Sequence, residues 1–393
     1  MLNYPATLPV RRTLIVLAAA LMLSGCSSIK NLFSDKDEVK PTPLEDFTPV
    51  MAVDRQWSTS LGSGTDKHYL TLHPVVVDGV VYVAERGGKV GAFEQDTGRK
   101  LWSHDLKKTT ITGGPGVGDG LVLVGTKNGE VVALDAASGN ENWRTQLSSE
   151  VLAAPQAAQG VIVARSIDGR VIGLDVRSGS RLWIYDRDIP VLTLRGNGNP
   201  AIVRDRVLLG FDSGRLIALE LQSGREVWSV EVAVATGRTD LQRMVDLDSE
   251  LMVAGDTVYV ASYQGQVAAI SITDGSIEWT RDMSSYAGLA VDSRRVYVAA
   301  TDGGVWALDR LTGASVWRTE ALLNRELGAP AAIGGNVVVG DMEGYLHWLN
   351  GADGSFVARE RLGKDPIFTA PIPLGDHLVA FTSGGRLASF RLN

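Results

Sequence analysis

The sequence is poor in cysteine and histidine, and it has no cluster of basic residues. Cys26 is the single cysteine among 393 residues, so no disulfide can form within the chain and the fold must be held by burial. The five histidines stand singly, without the paired spacing of a metal site. The net charge of −7 becomes −9 without segment 1–25, which contributes Arg11 and Arg12 and no acids. Nucleic acid is therefore not expected as a partner.

Catalytic motifs are also missing. The chain contains no nucleophile elbow of the G-x-S-x-G type, no phosphate-binding loop and no H-E-x-x-H zinc motif. The sequence thus predicts no catalytic residue, no cofactor and no metal, and it favours a binding protein over an enzyme.

The apolar run near the N-terminus, Leu14–Leu23, is too short to span a membrane, which takes about 20 residues. It follows Arg11 and Arg12 and precedes Cys26, the order of a secretory signal peptide. The tetrapeptide that ends in Cys26 is similar to the bacterial lipobox, in which the cysteine carries the lipid. We expect a signal peptide over residues 1–25, a flexible tether over 26–53 after the lipidated Cys26, and a folded domain over 54–393. The alternative is an incidental cysteine after an ordinary signal peptide.

What the chain does have is an internal repeat, present eight times. Each copy is anchored on a glycine at a position that we call k: Gly88, Gly129, Gly169, Gly214, Gly265, Gly303, Gly344 and Gly385. A large apolar residue follows at k+5 in every copy: Phe93, Leu134, Leu174, Leu219, Ile270, Leu308, Leu349 and Phe390. A second glycine stands at k+10 in seven copies: Gly98, Gly139, Gly179, Gly224, Gly275, Gly313 and Gly354. Tryptophan stands at k+14 in six copies: Trp102, Trp143, Trp183, Trp228, Trp279 and Trp317.

The repeat predicts an all-β fold, an eight-bladed β-propeller built from four-stranded antiparallel blades. Each unit contains short runs rich in β-branched residues that are bounded by glycine, Asp or Asn turns. The last unit ends after its third strand, whereas Trp57 lies in an unpaired strand ahead of the first unit. We expect this N-terminal strand to join the last three strands as an outer strand and so close the ring.

Two neighbouring connections between blades are long. One runs from Trp183 to Pro200, and the next runs from Trp228 to Leu251. The connections that follow them are shorter, whereas the one that leads to Pro74 at the start of the ring is as long as the first of the two. Because such connections leave by one face of the ring, the two long neighbours are expected to form one enlarged surface, which we call the ledge.

The ledge carries candidate contact residues. In an extended segment Leu192 and Leu194 point the same way, beside the cation of Arg195, and the second connection supplies the carboxylates of Asp246 and Asp248. The alternative is that the leucines belong to the core and the charges are merely solvated.

The glycine and tryptophan signature resembles that of the quinoprotein dehydrogenases, whose propellers also have eight blades. Many of these enzymes hold a quinone cofactor beneath a vicinal disulfide beside calcium. A chain with one cysteine cannot form that disulfide, so the resemblance implies the fold and not the cofactor.

Over essentially its whole length the chain also resembles the BamB family, lipoprotein subunits of the outer-membrane β-barrel assembly (BAM) complex. The resemblance rests on the lipobox, the proline-containing tether and eight tryptophan-docked blades. It implies an outer-membrane protein that is lipid-anchored and faces the periplasm, and Ser27 after the cysteine agrees with outer-membrane sorting.

This second resemblance also implies a partner. Family members contact the POTRA domains of the central barrel subunit, BamA, through the two long connections. Carried over by motif, this implicates the following residues: Leu192, Leu194, Arg195, Asp246 and Asp248. Unfolded outer-membrane proteins are a second expected partner, bound at strand edges by β-augmentation. The rival functions are a periplasmic quinoprotein-like oxidoreductase and a generic envelope scaffold lipoprotein.

Overall fold

The computed structural model describes residues 40–65, 70, 72–187, 198–233, 245–247 and 249–393. Residues 41–393 form one compact unit, and the following description concerns that unit. Its described residues form eight four-stranded antiparallel sheets. This confirms the predicted eight-bladed β-propeller. Across the described ranges, no helix is long and apolar enough to cross a membrane.

In blades one to seven the strands follow the chain from the innermost to the outermost position, whereas in blade eight the first strand of the chain is the outermost. Blades one to three contain β2 (Val75–Val77), β3 (Val80–Ala84), β4 (Lys89–Glu94) and β5 (Lys100–Asp105); β6 (Ile111–Gly118), β7 (Leu121–Thr126), β8 (Glu130–Asp135) and β9 (Glu141–Gln146); and β10 (Gln156–Ala158), β11 (Val161–Arg165), β12 (Val171–Asp175) and β13 (Arg181–Tyr185). Blades four to six contain β14 (Ala201–Val203), β15 (Arg206–Gly210), β16 (Arg215–Glu220) and β17 (Glu226–Glu231); β18 (Met252–Ala254), β19 (Thr257–Ala261), β20 (Gln266–Ser271) and β21 (Ile277–Asp282); and β22 (Leu289–Val291), β23 (Arg295–Ala299), β24 (Val305–Asp309) and β25 (Ser315–Thr319). Blade seven contains β26 (Ala331–Ile333), β27 (Asn336–Gly340), β28 (Tyr345–Asn350) and β29 (Phe356–Arg361), and blade eight contains β30 (Ile372–Leu374), β31 (His377–Phe381), β32 (Arg386–Leu392) and β1 (Val53–Ser60).

The hydrophobic core lies between the blades. Because side chains alternate across a strand, each second strand serves two interfaces. In β3, Tyr82 and Ala84 pack toward blade two, whereas Val81 and Val83 pack toward blade eight. Eight buried clusters of this kind lie between successive blades around the whole ring. The two middle strands of a blade are therefore covered on both faces, which is why their sequences are almost continuously apolar.

The tryptophan of an outer strand, which is Trp57 in blade eight and the k+14 residue in the other blades that have one, contacts the k+10 glycine of the next blade. Trp57 Nε1 donates a hydrogen bond to the carbonyl of Gln95 at 2.9 Å. A Cβ on Gly98 would lie 2.5 Å from the indole of Trp57, and Gly98 has a φ of +67°. Seven interfaces repeat this arrangement, with Trp183 on Gly224 and Trp317 on Gly354 among them. Only glycine satisfies both the left-handed backbone and the close approach of the ring.

The ring is closed by pairing of its first and last strands. β1 pairs antiparallel with β32, from Val53 opposite Leu392 to Ser60 opposite Arg386. Trp57 then docks on blade one as the other tryptophans dock on their neighbours. The predicted closure is confirmed.

The interface between blades seven and eight differs from the other seven. Ala358 stands at the k+14 position of blade seven, so no tryptophan docks there. Instead Trp348 and Phe390 pack edge to face, with ring centroids 6.1 Å apart. The backbone N–H of Val50 donates to the carbonyl of Val357 at 3.0 Å, and this contact covers the outer strand of blade seven.

Val50 belongs to a segment that lies along blade seven, which we call the N-terminal strap (residues 41–52). Thr42 N–H donates to the carbonyl of Leu323 at 3.0 Å, and Phe47 stacks on Phe356 with centroids 5.3 Å apart. We expected a flexible tether up to residue 53, whereas the strap is bound to the propeller through backbone hydrogen bonds and apolar side chains. The signal peptide and Cys26 lie outside the described residues, and their assignment stays a prediction.

Two arginines hold the strap: Arg325 lies in the connection that leads into blade seven, and Arg359 lies in the outer strand of that blade. Arg325 Nη1 donates to the carbonyl of Thr42 at 3.0 Å, and Arg359 Nη1 donates to the carbonyl of Glu45 at 2.9 Å. Arg325 is 2% exposed and pairs with Asp341, which is fully buried. The strap thus rests on a charged network within the propeller.

Candidate partner-binding site

The two long connections begin at the outer strands of blades three and four. β13 ends at Tyr185 and β14 begins at Ala201, while β17 ends at Glu231 and β18 begins at Met252. We call the intervening segments the first insert (186–200) and the second insert (232–251). The described ends of both inserts lie on the face that also carries the hairpins between the second and third strands.

Most predicted contact residues cannot be placed. Leu192, Leu194 and Arg195 of the first insert and Asp248 of the second lie outside the described residues. Their role in partner binding stays a prediction.

Asp246 is described, and its position differs from the expected one. The residue is 1% exposed, and its backbone carbonyl accepts a hydrogen bond from Tyr263 N–H at 3.0 Å. We expected a carboxylate presented to a partner, but in this arrangement Asp246 is packed against blade five. Asp246 is buried because of its neighbours. Val245 and Leu247 are apolar and only 2% and 1% exposed, so the backbone between them also lies against the propeller.

The second insert is rooted at both ends on the hairpin Gly210–Gly214 of blade four. At its start, Ala233 N–H donates to the carbonyl of Gly214 at 3.1 Å. Toward its end, Val245 forms a parallel bridge with Ser213. This hairpin is therefore the floor of the ledge.

A buried ion pair joins the floor to blade three. Arg165 Nη2 lies 3.0 Å from Asp212 Oδ1, with side-chain exposures of 1% and 7%. Burial raises the pKa of the Asp212 carboxyl, and the neighbouring Arg165 guanidinium offsets part of this effect. Sequence reasoning did not single out either residue.

A second link between the two blades lies at their outer edge. Tyr185 at the end of β13 donates its hydroxyl hydrogen to Glu226 Oε2 of blade four at 2.6 Å. Burial raises the pKa of the Tyr185 hydroxyl, and the bond to Glu226 raises it further. Arg187, in the first insert, lies over the ring of Phe211 at 5.9 Å, so this insert also reaches the floor.

The central channel forms a cavity of about 770 Å³. The innermost strands line it, together with five prolines that stand fourteen residues before the glycine k of their blades: Pro74, Pro115, Pro200, Pro330 and Pro371. Its ionisable lining residues are His73, Arg204 and Glu250. The part of the chain that the structure describes holds no group of three or more His, Cys, Asp or Glu side chains placed to bind a metal ion.

Sequence comparisons agree on one family. The family model described as outer membrane protein assembly factor BamB matches residues 86–319. The chain is 44% identical over 377 residues to the BamB of Pseudomonas aeruginosa, covering 96% of this chain and 98% of that protein. It is 46% identical over 382 residues to the BamB of Alkalilimnicola ehrlichii, covering 97% of each. The BamB of Escherichia coli is 36% identical over 386 residues, covering 95% and 97%.

Structural comparisons give the same result for the fold. The crystal structure of BamB from Moraxella catarrhalis superimposes with a TM-score of 0.79 at 28% identity, covering 86% of this chain and all of that one. The quinohemoprotein alcohol dehydrogenase of Comamonas testosteroni superimposes with a TM-score of 0.68 at 14% identity, covering 86% and 76%, a likeness of fold alone. The chain belongs to the BamB family of outer-membrane protein assembly factors.

Proposed function

We propose that this chain is a non-catalytic scaffold lipoprotein of the outer-membrane β-barrel assembly machinery. It is anchored in the outer membrane through Cys26, faces the periplasm and binds the POTRA domains of BamA, thereby assisting the folding and insertion of outer-membrane proteins. Its relatives carry the name of an outer-membrane protein assembly factor, which supports the general role.

The ledge is the observation that carries the partner-binding part of the proposal. The described ends of two neighbouring long connections contact one hairpin, and loops on a rigid scaffold are where binding residues concentrate. Leu192 and Leu194 supply the apolar contact, and Arg195 and Asp248 supply the charges. Asp246 anchors the second insert on blade five instead of touching the partner.

Charge reversal in the first insert tests the proposal. We expect Arg195→Glu to abolish co-purification of BamA with this chain from detergent-solubilised outer membranes, because a partner carboxylate would then face a like charge. The thermal unfolding of the variant should match that of the wild type.

The matched control is Arg294→Glu. Arg294 is exposed in a turn between the first two strands of blade six, on the opposite face of the ring, and the variant carries the same change in charge. BamA should co-purify with this control as with the wild type. Retention of BamA by Arg195→Glu at normal strength would overturn the assignment of the ledge.

A further inference from the structure

Arg165 departs from the repeat at a position where the other blades have small residues. At k−4, six blades have alanine or glycine: Ala84, Gly125, Gly210, Ala261, Ala299 and Gly340. Blade eight has Phe381 there, and blade three has Arg165. A long charged side chain thus replaces a small one at the end of a buried strand, and it does so next to the ledge.

The guanidinium of Arg165 crosses from blade three to blade four. Nη1 donates to the carbonyl of Gly210 at 2.7 Å, and Nη2 donates to Asp212 Oδ1 at 3.0 Å. Cζ lies 4.6 Å from the centroid of the Phe211 ring. All three contacts fall on consecutive residues of one hairpin, so Arg165 fixes the position of that hairpin and not merely of one side chain.

That hairpin is also where both inserts meet. Leu247 N–H of the second insert donates to the carbonyl of Phe211 at 3.5 Å, and Val245 bridges Ser213. Arg187 of the first insert lies over the ring of Phe211. The residues that Arg165 holds therefore carry contacts from the described parts of both inserts.

We propose that Arg165 and Asp212 are positioning residues for partner binding, which lock blades three and four together so that the two inserts act as one surface. The inference rests on the proposed function of the ledge. A buried ion pair adds little net stability compared with apolar residues of the same volume, but it fixes one arrangement, because each charge left alone would be uncompensated. Such a device suits a place where two blades must present one binding site.

The double variant Arg165→Ala/Asp212→Ala tests this role. It removes both charges, so neither is left buried and unpaired, and it restores the alanine that other blades have at k−4. We expect about tenfold weaker binding of the purified periplasmic POTRA region of BamA at a temperature well below the unfolding transition. Folding is checked first by the unfolding transition of the variant.

A second measurement reports on rigidity without the partner. Spin labels are attached at Asp186→Cys, the first residue of the first insert, and at Glu231→Cys, the last residue before the second insert. Their side chains are 62% and 48% exposed. The lipid proposed for Cys26 consumes the other thiol of the chain, so the labels are specific. We expect a narrow distance distribution in the labelled wild type and a broader one once Arg165→Ala/Asp212→Ala is added.

The matched control is Arg310→Ala. Arg310 Nε donates to the hydroxyl of Tyr259 at 3.0 Å, which links blades six and five on the opposite face of the ring. This variant also loses a half-buried arginine contact between blades, yet it should bind the POTRA region normally and leave the label distances unchanged.

The outcomes separate the two proposals. Wild-type affinity and an unchanged distance distribution in the double variant would overturn the positioning role, as would equal loss of affinity in Arg310→Ala. If Arg195→Glu loses BamA while the double variant keeps it, only the positioning role fails. If the wild type itself does not bind the POTRA region, the proposed partner fails and the positioning role fails with it.

Discussion

At the scale of the residue, two glycines with the same backbone conformation have different tasks. Gly224 and Gly255 both have a φ of +69°. A Cβ on Gly224 would overlap the indole of Trp183, whereas a Cβ on Gly255 would meet nothing within 4 Å. The first glycine makes room for the neighbouring blade, and the second only permits a turn.

The pair allows the two costs to be separated by substitution. We expect Gly255→Ala to lower the free energy of unfolding by ~1–2 kcal/mol, because of the left-handed backbone alone. Gly224→Ala should lose a further ~1–3 kcal/mol, because Trp183 must move. Chemical denaturation measures both, and equal losses would show that the tryptophan contact does not require glycine.

His347 is a second residue whose role depends on its surroundings. Arg359 Nε lies 3.2 Å from His347 Nδ1, and an arginine can only donate, so the histidine proton sits on Nε2 and is donated to Asp341 at 3.0 Å. Burial lowers the pKa of His347, outweighing the opposing effect of Asp341. The ring is therefore held neutral in the folded protein.

This predicts a pH dependence of stability. The unfolded histidine, with a pKa near ~6.5, takes up a proton more readily than the folded one, so stability is complete above that pH and is lost as the pH falls below it. The slope below about pH 6.5 is at most ~1.4 kcal/mol per pH unit, the value for one proton taken up on unfolding. His347→Asn should flatten the slope in this window, measured by denaturation at a series of pH values. An unchanged slope would contradict the assignment.

At the scale of the element, the N-terminal strap depends on blade seven. Arg359 donates to the carbonyl of Glu45, and its Cζ lies 5.0 Å from the centroid of Phe47. We expect Arg359→Ala to speed proteolytic cleavage within residues 41–52 severalfold, because local opening becomes easier.

The neighbouring Arg361 provides the control for the strap. Its side chain packs over Tyr345 and donates to the carbonyls of Glu343 and Gly363, and none of these contacts involves the strap. Arg361→Ala should therefore leave the cleavage rate of residues 41–52 as in the wild type. Equal acceleration in both variants would mean that the strap is not held by Arg359.

The closing strand β1 is the second element with a testable role. Deletion of residues 54–62 removes the outer strand of blade eight together with Trp57, which docks on blade one. We expect a lower and broader unfolding transition, because blades one and eight lose their shared interface. A truncated chain with unchanged melting behaviour would show that the ring does not depend on this strand.

The sequence predicts these elements unevenly. The roles of Trp57 and of the k+10 glycines can be predicted because the contact between tryptophan and glycine recurs around the ring. The same residues therefore recur at the same spacing along the sequence. The strap cannot be predicted from the sequence, because Thr42 and its partner Arg325 are 283 residues apart in the chain. The polar composition of residues 26–53 is, moreover, also that of an unstructured tether. Arg165 could have been found as an exception to the repeat at k−4, but its partners could not, since only the folded ring brings Asp212 to it.

At the scale of the whole molecule, the strap and the ledge lie far apart around the ring. Blade seven is four blades from blade three, which is half of an eight-bladed circle. The floor belongs to blade four, which is three blades from blade seven. The backbone and arginine contacts described above for the strap therefore involve no residue of the floor.

The strap also has a mechanical consequence. Closure of the ring depends on β1, a strand near the N-terminus that pairs with β32 through backbone hydrogen bonds and docks on blade one through Trp57. A pulling force applied through residue 41 meets the strap's bonds to Leu323, Arg325, Arg359 and Val357 before it can reach Val53. A force on the N-terminal side is thus transmitted to blade seven as a shear load. The pairing of β1 with β32 does not bear this load.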